Sequence, residues 1–150
     1  MRSNLNPMKV AIGCDHAGYE LKDFLIESLT AEGIEFKDHG TNGPASVDYP
    51  DFGHAVCEDV LAGKGAFGIL ICGSANGMTM TANKHEGIRC GLCWLPEIAS
   101  LTKQHNNANV IALPARFITK EEGLEIVKAY MSAEYEGGRH QRRVDKIACS

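Results

Sequence analysis

Cys72 is the residue of this chain whose type and setting most clearly suggest chemistry. It follows a run of branched aliphatic residues, 69–71, and precedes a loop of small residues, 73–77. An unbroken apolar run of this kind predicts a strand buried on both faces of a parallel sheet. The loop would then lie at the carboxyl end of that strand, where open α/β sheets bind their ligands. The sequence therefore places a thiol where a ligand is expected.

The loop 73–77 joins a predicted strand to a predicted helix, so its backbone N–H groups can converge on an anion. The same groups would lower the pKa of the Cys72 thiol below its free value of about 8.5. The loop does not match a nucleotide fingerprint, because Met78 stands where a P-loop needs its second glycine and no lysine follows. Instead of a nucleotide phosphate, the loop could bind an oxyanion that forms next to the thiol.

Other polar residues also follow predicted elements. Asp15 and His16 end the first strand and Arg116 follows the fifth, which places them at the same edge of the sheet as the thiol. His105 and Asn106 end the fourth helix, so they would normally lie at the opposite edge. A dimer in which the helix end of one subunit reaches the strand ends of its partner would bring the two groups together.

Five strand-like segments alternate with amphipathic helical segments along the chain. The predicted strands cover residues 9–16, 34–38, 69–72, 88–93 and 109–113. Thr119 and Glu122 form a capping box at the start of the last long helix. This order predicts a three-layer α/β/α domain with a five-stranded parallel sheet. We expect a single domain over residues 1–150, of which residues 1–7 form a loose extension. Strand 34–38 should lie near the sheet edge, because its residues alternate in polarity.

The composition is that of a soluble globular protein, with 44% hydrophobic and 23% charged residues among 150. A formal net charge of −4 provides no basic footprint for nucleic acid. No segment is long enough for a membrane span, and the first residues lack the apolar core of a signal peptide. The six cysteines are scattered through strand-like segments, which suits reduced thiols. We therefore expect a cytoplasmic protein.

The same residues also allow plainer interpretations. Cys72 could be an inert buried thiol, and His16 and His105 could make structural hydrogen bonds. Cys90 and Cys93 have the spacing of a metal or redox pair, but strand alternation would send their side chains to opposite faces. The spacing alone therefore does not establish a metal site or a dithiol.

A basic segment, 139–143, begins the last predicted helix. Such a segment is usually a solvated helix face. Arg139 and Arg143 are four residues apart, however, so they share one face of the helix and could clamp a single phosphate.

Six motifs in order resemble the B-type ribose-5-phosphate isomerases of the ribose/galactose isomerase family. They are residues 13–18 (GCDHAG), 48–50 (DYP), 71–77 (ICGSANG), 82–84 (ANK), 104–110 (QHNNANV) and 135–140 (YEGGRH). Any one of them is weak, but together they extend the resemblance over nearly the whole chain from Met8 onward.

The resemblance implies a Rossmann-like α/β/α fold and the interconversion of ribose 5-phosphate and ribulose 5-phosphate without a metal or another cofactor. It also implies a homodimer, in some members a tetramer, whose active site is shared between subunits. The implied catalytic residues are Cys72 as the base, Ser74 as a stabiliser of the enediolate and His105 for ring opening. The implied substrate-binding residues are Asp15, His16, Tyr49, Gly73, Ala75, Asn76, Gly77, Asn106, Arg116, Arg139 and Arg143.

Two positions depart from the pattern of some relatives. Met78 occupies the place where members without the cysteine carry a glutamate base, so the cysteine mechanism is the one implied here. Ala75 stands where many relatives have glycine, which the loop would tolerate if the φ of Ala75 is negative.

Several functions remain open at this point. Relatives isomerise allose 6-phosphate or galactose 6-phosphate, and a six-carbon chain needs only a little more room. A thiol oxidoreductase would use Cys72 or the Cys90 and Cys93 pair. A non-catalytic sugar-phosphate-binding module would explain Arg116 and the arginines of the last helix, which the redox hypothesis leaves without a role.

Overall fold

The computed structural model describes residues 7–149, in which strands alternate with helices. The strands are β1 (Lys9–Cys14), β2 (Glu35–Asp38), β3 (Gly68–Cys72), β4 (Cys90–Leu92) and β5 (Val110–Pro114). The helices are α1 (Tyr19–Thr30), α2 (Tyr49–Leu61), α3 (Asn76–Ala82), α4 (Pro96–Gln104), α5 (Lys120–Ser132) and α6 (Arg139–Asp145). The predicted loose extension lies outside the described residues, apart from Pro7. No helix within residues 7–149 is long and apolar enough to cross a membrane.

The strands form one sheet in the order β2-β1-β3-β5-β4, and every neighbouring pair is parallel. The central strands β3 and β5 are buried at every residue, and β1 is buried at all but its first. The apolar run that leads to Cys72 is therefore the middle strand of the sheet, as its composition predicted. The predicted five-stranded parallel α/β/α architecture is confirmed.

Alternate side chains of the strands enter two separate cores, one on each face of the sheet. On one face Ile12 packs in a cluster with Leu25 of α1 and Ile126 of α5. On the other face Leu70 packs in a cluster with Val56 of α2 and with α3. The helices that follow the neighbouring strands β1 and β3 thus leave toward opposite faces. This reversal opens a crevice at the carboxyl ends of β1 and β3, the position where doubly wound sheets bind ligands.

The two edge strands are short. β2 pairs only with β1, and its placement at the edge confirms the prediction from its alternating pattern. β4 spans Cys90–Leu92 rather than the predicted 88–93, since its ladder with β5 covers three residue pairs. Before that ladder, the N–H of Arg89 donates to the side-chain oxygen of Asn109 at 2.8 Å. The N–H of Arg89 is therefore bound by a side chain, while the Arg89 carbonyl still accepts the N–H groups of Asn109 and Val110.

The predicted capping box of α5 is confirmed. The hydroxyl of Thr119 accepts a hydrogen bond from the Glu122 N–H at 3.0 Å, and the Glu122 carboxylate accepts one from the Thr119 N–H at 2.8 Å. Two backbone donors that the helix itself leaves unpaired are thereby satisfied, which stabilises its start by about 1 kcal/mol.

A buried carboxylate links α2 to β2 and the turn after it. Asp59 lies 2.5 Å from Nε2 of His39 and 3.3 Å from Nζ of Lys37. Burial raises the pKa of Asp59, but the hydrogen bonds from His39 and Lys37 outweigh this effect and leave the pKa below its usual value. The ionised carboxylate therefore helps to hold α2, which begins at Tyr49, against the sheet.

Candidate active site

Cys72 ends β3 at the carboxyl edge of the sheet, and only 5% of the residue is exposed. Its side chain belongs to the core shared with α2 and α3, beside Met78 and Ala112. Its carbonyl accepts a hydrogen bond from the Ala115 N–H at 2.9 Å, which ties the loop after β5 to the end of β3. The thiol therefore lies at the floor of the crevice, held by packing on one side and by the loop on the other.

The loop after Cys72 turns through a residue in the left-handed conformation. Ala75 has φ of 68° and ψ of −5°, so the negative φ under which the loop would readily tolerate alanine is not found. The chain must pass from β3 into α3 through residues 73–75 alone, and this reversal requires the left-handed turn. The conformation costs an L-residue about 1–2 kcal/mol, which the complete burial of Ala75 helps to offset. Beyond the turn, the Asn76 N–H donates to Oγ of Ser74 at 3.3 Å.

Opposing effects act on the thiol of Cys72. Burial raises its pKa, and the nearby carboxylate of Asp15 raises it further. Hydrogen bonds from the N–H groups of Met78, Ala75 and Ser74 lower it, as the loop predicted. The net pKa lies above the ordinary thiol value, so the predicted lowering is wrong for this chain taken alone. Desolvation of Cys72, a residue that is only 5% exposed, outweighs the hydrogen bonds from three amides.

Asp15 and His16 lie at the end of β1, on the other side of the crevice. The Asp15 N–H donates to the carbonyl of Ile71 at 3.1 Å, which holds the end of β1 beside the residue before Cys72. A carboxylate oxygen of Asp15 accepts the Ala17 N–H at 2.9 Å, and Nδ1 of His16 accepts the Val47 N–H at 3.3 Å. The Val47 contact thus ties the His16 ring to the segment that leads into α2.

Tyr49 and Arg116 flank the loop from two directions, and in each case a glycine makes the contact possible. The ring of Tyr49 lies against Gly77 so closely that a Cβ on the glycine would overlap it. A Cβ on Gly73 would lie 3.2 Å from Nη1 of Arg116. The N–H of Arg116 also donates to the carbonyl of Gly73 at 3.1 Å. The loop thus has a phenol at its helical end and a guanidinium at its strand end.

The remaining predicted residues lie at the other edge of the sheet. β5 runs from Val110, level with Gly68, to Pro114, level with Cys72. Because the end of α4 and the residues after it lead directly into Val110, they lie about one strand length, roughly 13 Å, from the thiol. His105 and Asn106 therefore belong to a separate group, as their position after a helix predicted. Within one chain the structure does not bring them to Cys72.

His105 makes its contacts with the segment that leads into α6. Its ring stacks on the ring of His140 with centroids 4.3 Å apart and planes inclined by 16°. Its Nε2 lies 3.8 Å from a carboxylate oxygen of Glu136, and the same oxygen lies 3.4 Å from Nε2 of His140. The Glu136 N–H donates to the carbonyl of Gln104 at 3.0 Å, which holds this segment against the end of α4.

The two arginines of α6 belong to this second group. Nη1 of Arg143 donates to the carbonyl of Arg139 at 3.0 Å, and both residues are exposed at the helix surface. Asn106 is also exposed, and its carbonyl accepts a hydrogen bond from Nε of Arg89 at 3.2 Å. The predicted site is therefore divided into a thiol half, at the carboxyl edge of the sheet, and a basic half, at the ends of α4 and α6.

Comparison with known proteins decides the family. The family model described as Ribose/Galactose Isomerase matches residues 10–147. This chain belongs to the ribose/galactose isomerase family. Ribose-5-phosphate isomerase B of Escherichia coli is 43% identical over 139 residues, which cover 93% of each chain. The resemblance inferred from the six motifs is confirmed.

Solved structures of family members share the fold. The crystal structure of a ribose 5-phosphate isomerase from Thermotoga maritima superposes with a TM-score of 0.92 at 46% identity, covering 93% of this chain and 97% of that one. Ribose-5-phosphate isomerase B from Mycoplasma genitalium, solved with bound ribulose-5-phosphate, has a TM-score of 0.88 at 42% identity and covers 93% of both chains. The Rossmann-like fold expected of the family is confirmed.

The Cys90 and Cys93 pair does not form a dithiol or metal site. Cys90 packs against the core on the α2 and α3 face, whereas Cys93 lies in the core on the opposite face. Burial raises the pKa of both thiols, that of Cys93 to about 12. The prediction that strand alternation separates them is confirmed.

Glu136 and His140 are the residues near the site that sequence reasoning did not single out. Both lie in the motif 135–140, but neither was expected to contact His105. His140 is 9% exposed, and its Nε2 is buried without a hydrogen-bond partner. The sequence did offer one signal, because His140 follows a glycine-rich turn and has arginines near it. This signal does not indicate which distant residue His140 contacts.

Proposed function

We propose that this protein is a ribose-5-phosphate isomerase that interconverts D-ribose 5-phosphate and D-ribulose 5-phosphate through a cis-enediolate. The observation that carries the proposal is the setting of Cys72. The thiol lies in the crevice between β1 and β3, receives N–H groups from the loop that follows it, and has the Arg116 guanidinium next to that loop. The names of the relatives and the ribulose-5-phosphate bound to one of them support the same substrate.

In this mechanism the thiolate of Cys72 removes the proton from C2 of the open-chain aldose. The electron pair of that C–H bond forms the C1–C2 double bond, and the carbonyl oxygen at C1 becomes the negatively charged oxygen of the enediolate. A proton moves from O2 to O1, Cys72 returns its proton to C1, and the carbonyl reforms at C2. No electron acceptor and no metal enters the balance.

The loop would stabilise the charge that develops in this step. The N–H groups of Ser74, Ala75 and Met78 lie next to the sulfur. The proposed donors to the enediolate oxygens are the Ser74 hydroxyl and the N–H groups of the loop residues Gly73, Ser74, Ala75, Asn76 and Gly77. One well-placed donor to such an oxyanion contributes about 3 kcal/mol at the transition state.

Other residues would hold the sugar and its phosphate. Asp15, Tyr49 and Asn106 are proposed to contact the hydroxyls and the ring oxygen. His16, Arg116, Arg139 and Arg143 are proposed to bind the phosphate, where guanidinium groups can form bidentate hydrogen bonds. Binding at the phosphate end positions the reacting carbons at the far end of the substrate.

A homodimer would complete this site, with the thiol half of one subunit facing the basic half of the other. His105 of the partner subunit would then open the furanose ring. Within one chain, burial raises the pKa of Cys72, which keeps the thiol protonated at neutral pH. A cationic side chain of the partner would favour the thiolate, and lowering a thiol pKa by one unit increases the thiolate fraction about tenfold.

We further propose that the whole chain acts as a single isomerase domain of the cytoplasm, in the non-oxidative pentose phosphate pathway. The cysteines of residues 7–149 are free thiols, the state that a reducing compartment maintains.

A coupled assay with ribose 5-phosphate, allose 6-phosphate and galactose 6-phosphate tests the proposal, each with and without a chelator. We expect ribose 5-phosphate to have the highest kcat/KM, and chelation to leave its rate undiminished. Cys72→Ala should lose nearly all turnover while still binding ribose 5-phosphate. Retained isomerisation by this variant would contradict the assignment of the base.

The same assay separates the other functional classes. A higher kcat/KM for a hexose phosphate than for ribose 5-phosphate would contradict the proposed substrate but not the proposed mechanism. Tight binding of ribose 5-phosphate without isomerisation by the wild-type chain would indicate a binding module. Activity that survives Cys72→Ala but is lost when Cys90 and Cys93 are both replaced by serine would favour thiol redox chemistry.

A further inference from the structure

His105, Glu136 and His140 form a cluster that the isomerase reaction does not explain as a whole. Their ligand atoms, two imidazole nitrogens and a carboxylate oxygen, all lie within 4.8 Å of one another. The cluster joins the end of α4 to α6, which are brought together only by the fold. We propose that it is a binding site for a divalent transition metal of the zinc type, and that metal bound there inhibits the enzyme by withdrawing His105.

The chemistry of the three groups suits zinc. Two imidazoles and one carboxylate are a common zinc ligand set, and the fourth tetrahedral position remains open to water. Imidazole nitrogen also favours zinc, copper and nickel over magnesium and calcium, which prefer oxygen ligands. The distances of 3.8 Å and 3.4 Å from the Glu136 oxygen to the two Nε2 atoms are a few tenths of an ångström longer than the separation of neighbouring ligands around zinc.

A second observation points to the same ligand. Nε2 of His140 is buried and has no hydrogen-bond partner, although it lies 3.4 Å from the Glu136 oxygen that is also near His105. Buried polar atoms in proteins nearly always have a partner, and leaving one without costs about 1–3 kcal/mol. A metal ion between the three groups would supply the missing partner.

The two imidazole rings would have to change their relative orientation to share an ion. They are now almost parallel, whereas a metal must lie in the plane of each ring that binds it. His105 is the ring that can turn, because its side chain is 38% exposed while that of His140 is 11% exposed. The χ2 torsion of histidine is broad, so this turn costs little. Since zinc would move His105 away from its resting position, bound metal and ring opening would exclude each other.

The basic surroundings indicate a reversible ligand rather than a resident cofactor. Arg139, Arg142 and Arg143 lie on the same short helix as His140, and only Glu136 supplies negative charge within the cluster. Three protein ligands with an open fourth position bind zinc less tightly than a closed structural site. The site is therefore suited to respond to the concentration of free metal. The inhibition, though not the binding, rests on the proposed isomerase function.

Zinc binding can be measured without any assay of the reaction. The wild-type protein, Glu136→Gln and His140→Asn compete with a chromophoric chelator for Zn²⁺, and Mg²⁺ serves as a non-binding ion. We expect each variant to bind zinc at least tenfold more weakly than the wild type, since even the loss of a residue that only supports a ligand costs about 10–100-fold. His85→Gln is the matched control, because His85 forms the other close imidazole pair, with Nε2 2.6 Å from Nδ1 of His54.

Isomerase rates measured at the same zinc concentrations test the inhibition, with the metal-free rate of each protein as its own reference. The wild type and His85→Gln should be inhibited in parallel with zinc occupancy, and a chelator should restore the rate. Glu136→Gln should require at least tenfold more zinc for the same inhibition.

Equal zinc affinity in the wild type, Glu136→Gln and His140→Asn would overturn the site, as would a loss of binding in His85→Gln alone. Glu136 is exposed, so its variant remains informative even if His140→Asn does not fold. Binding that depends on Glu136 without any effect on the rate would refute the inhibition alone. A protein without isomerase activity would refute the proposed function and leave the binding result intact.

Discussion

The division of the site into two halves predicts how inactive variants should complement each other. Cys72→Ala disables the thiol half and His105→Ala disables the basic half, and each homodimer should be inactive. In a heterodimer of the two variants, one site combines both defects. The other site combines the intact Cys72 of one chain with the intact His105 of the other. Co-expression with two different affinity tags allows this heterodimer to be purified.

The structure determines the rate expected for the heterodimer. β5 separates the residues before Val110 from the level of Cys72 by about 13 Å, too far for contact between a thiol and an imidazole of one chain. If each site is shared, one of the two sites in the heterodimer is intact, so its rate should be about half that of the wild type. If each site lies within one chain, neither is intact and the heterodimer should be inactive.

The reciprocal pairing provides the control. A chain that carries both substitutions is combined with a wild-type chain. Both sites then lack one essential residue if they are shared, and the heterodimer should be inactive. Sites confined to one chain would leave the wild-type subunit working, at about half the wild-type rate. An active reciprocal heterodimer together with an inactive first one would refute the shared site.

Three further substitutions test individual contacts. Gly77→Ala should push the ring of Tyr49 away from the loop, with little change in unfolding free energy. We expect KM to rise about tenfold, which corresponds to the loss of one hydrogen bond between Tyr49 and the sugar. Gly43→Ala is its control because a methyl group there meets no atom of the described residues, and equal KM values for the two variants would contradict the contact. Thr119→Ala should lower the unfolding free energy in urea by about 1 kcal/mol without changing kcat, and an unchanged midpoint would argue against the capping box. Asp59→Asn should lower the unfolding free energy by about 2 kcal/mol at neutral pH. The folded-state pKa of Asp59 is lowered, so its stabilisation is present above the unfolded pKa of about 4 and is lost as pH falls through the folded-state pKa. A difference in unfolding free energy between the wild type and Asp59→Asn that persisted below the folded-state pKa would contradict the ion pairs.

The sequence was sufficient to predict the element order and the position of the thiol. The apolar runs that form β3 and β5 have the composition typical of strands buried on both faces. The capping box of α5 is formed by two residues three positions apart. These features depend on interactions between near neighbours in the chain. The predicted separation of His105 from Cys72 also followed from element order, because successive elements of a parallel sheet alternate between its two edges.

Packing between distant segments decided the rest. The pKa of Cys72 depends on how much water the surrounding elements exclude, and a pattern of loop glycines cannot report this. The left-handed Ala75 arises from the path between two elements whose relative placement the tertiary structure sets. The cluster of His105, Glu136 and His140 likewise joins residues about thirty positions apart in sequence, so only the docking of α6 against the end of α4 could create it. The sequence alone thus determined which groups are available and at which edge each lies, while their environment and their contacts were determined by the fold.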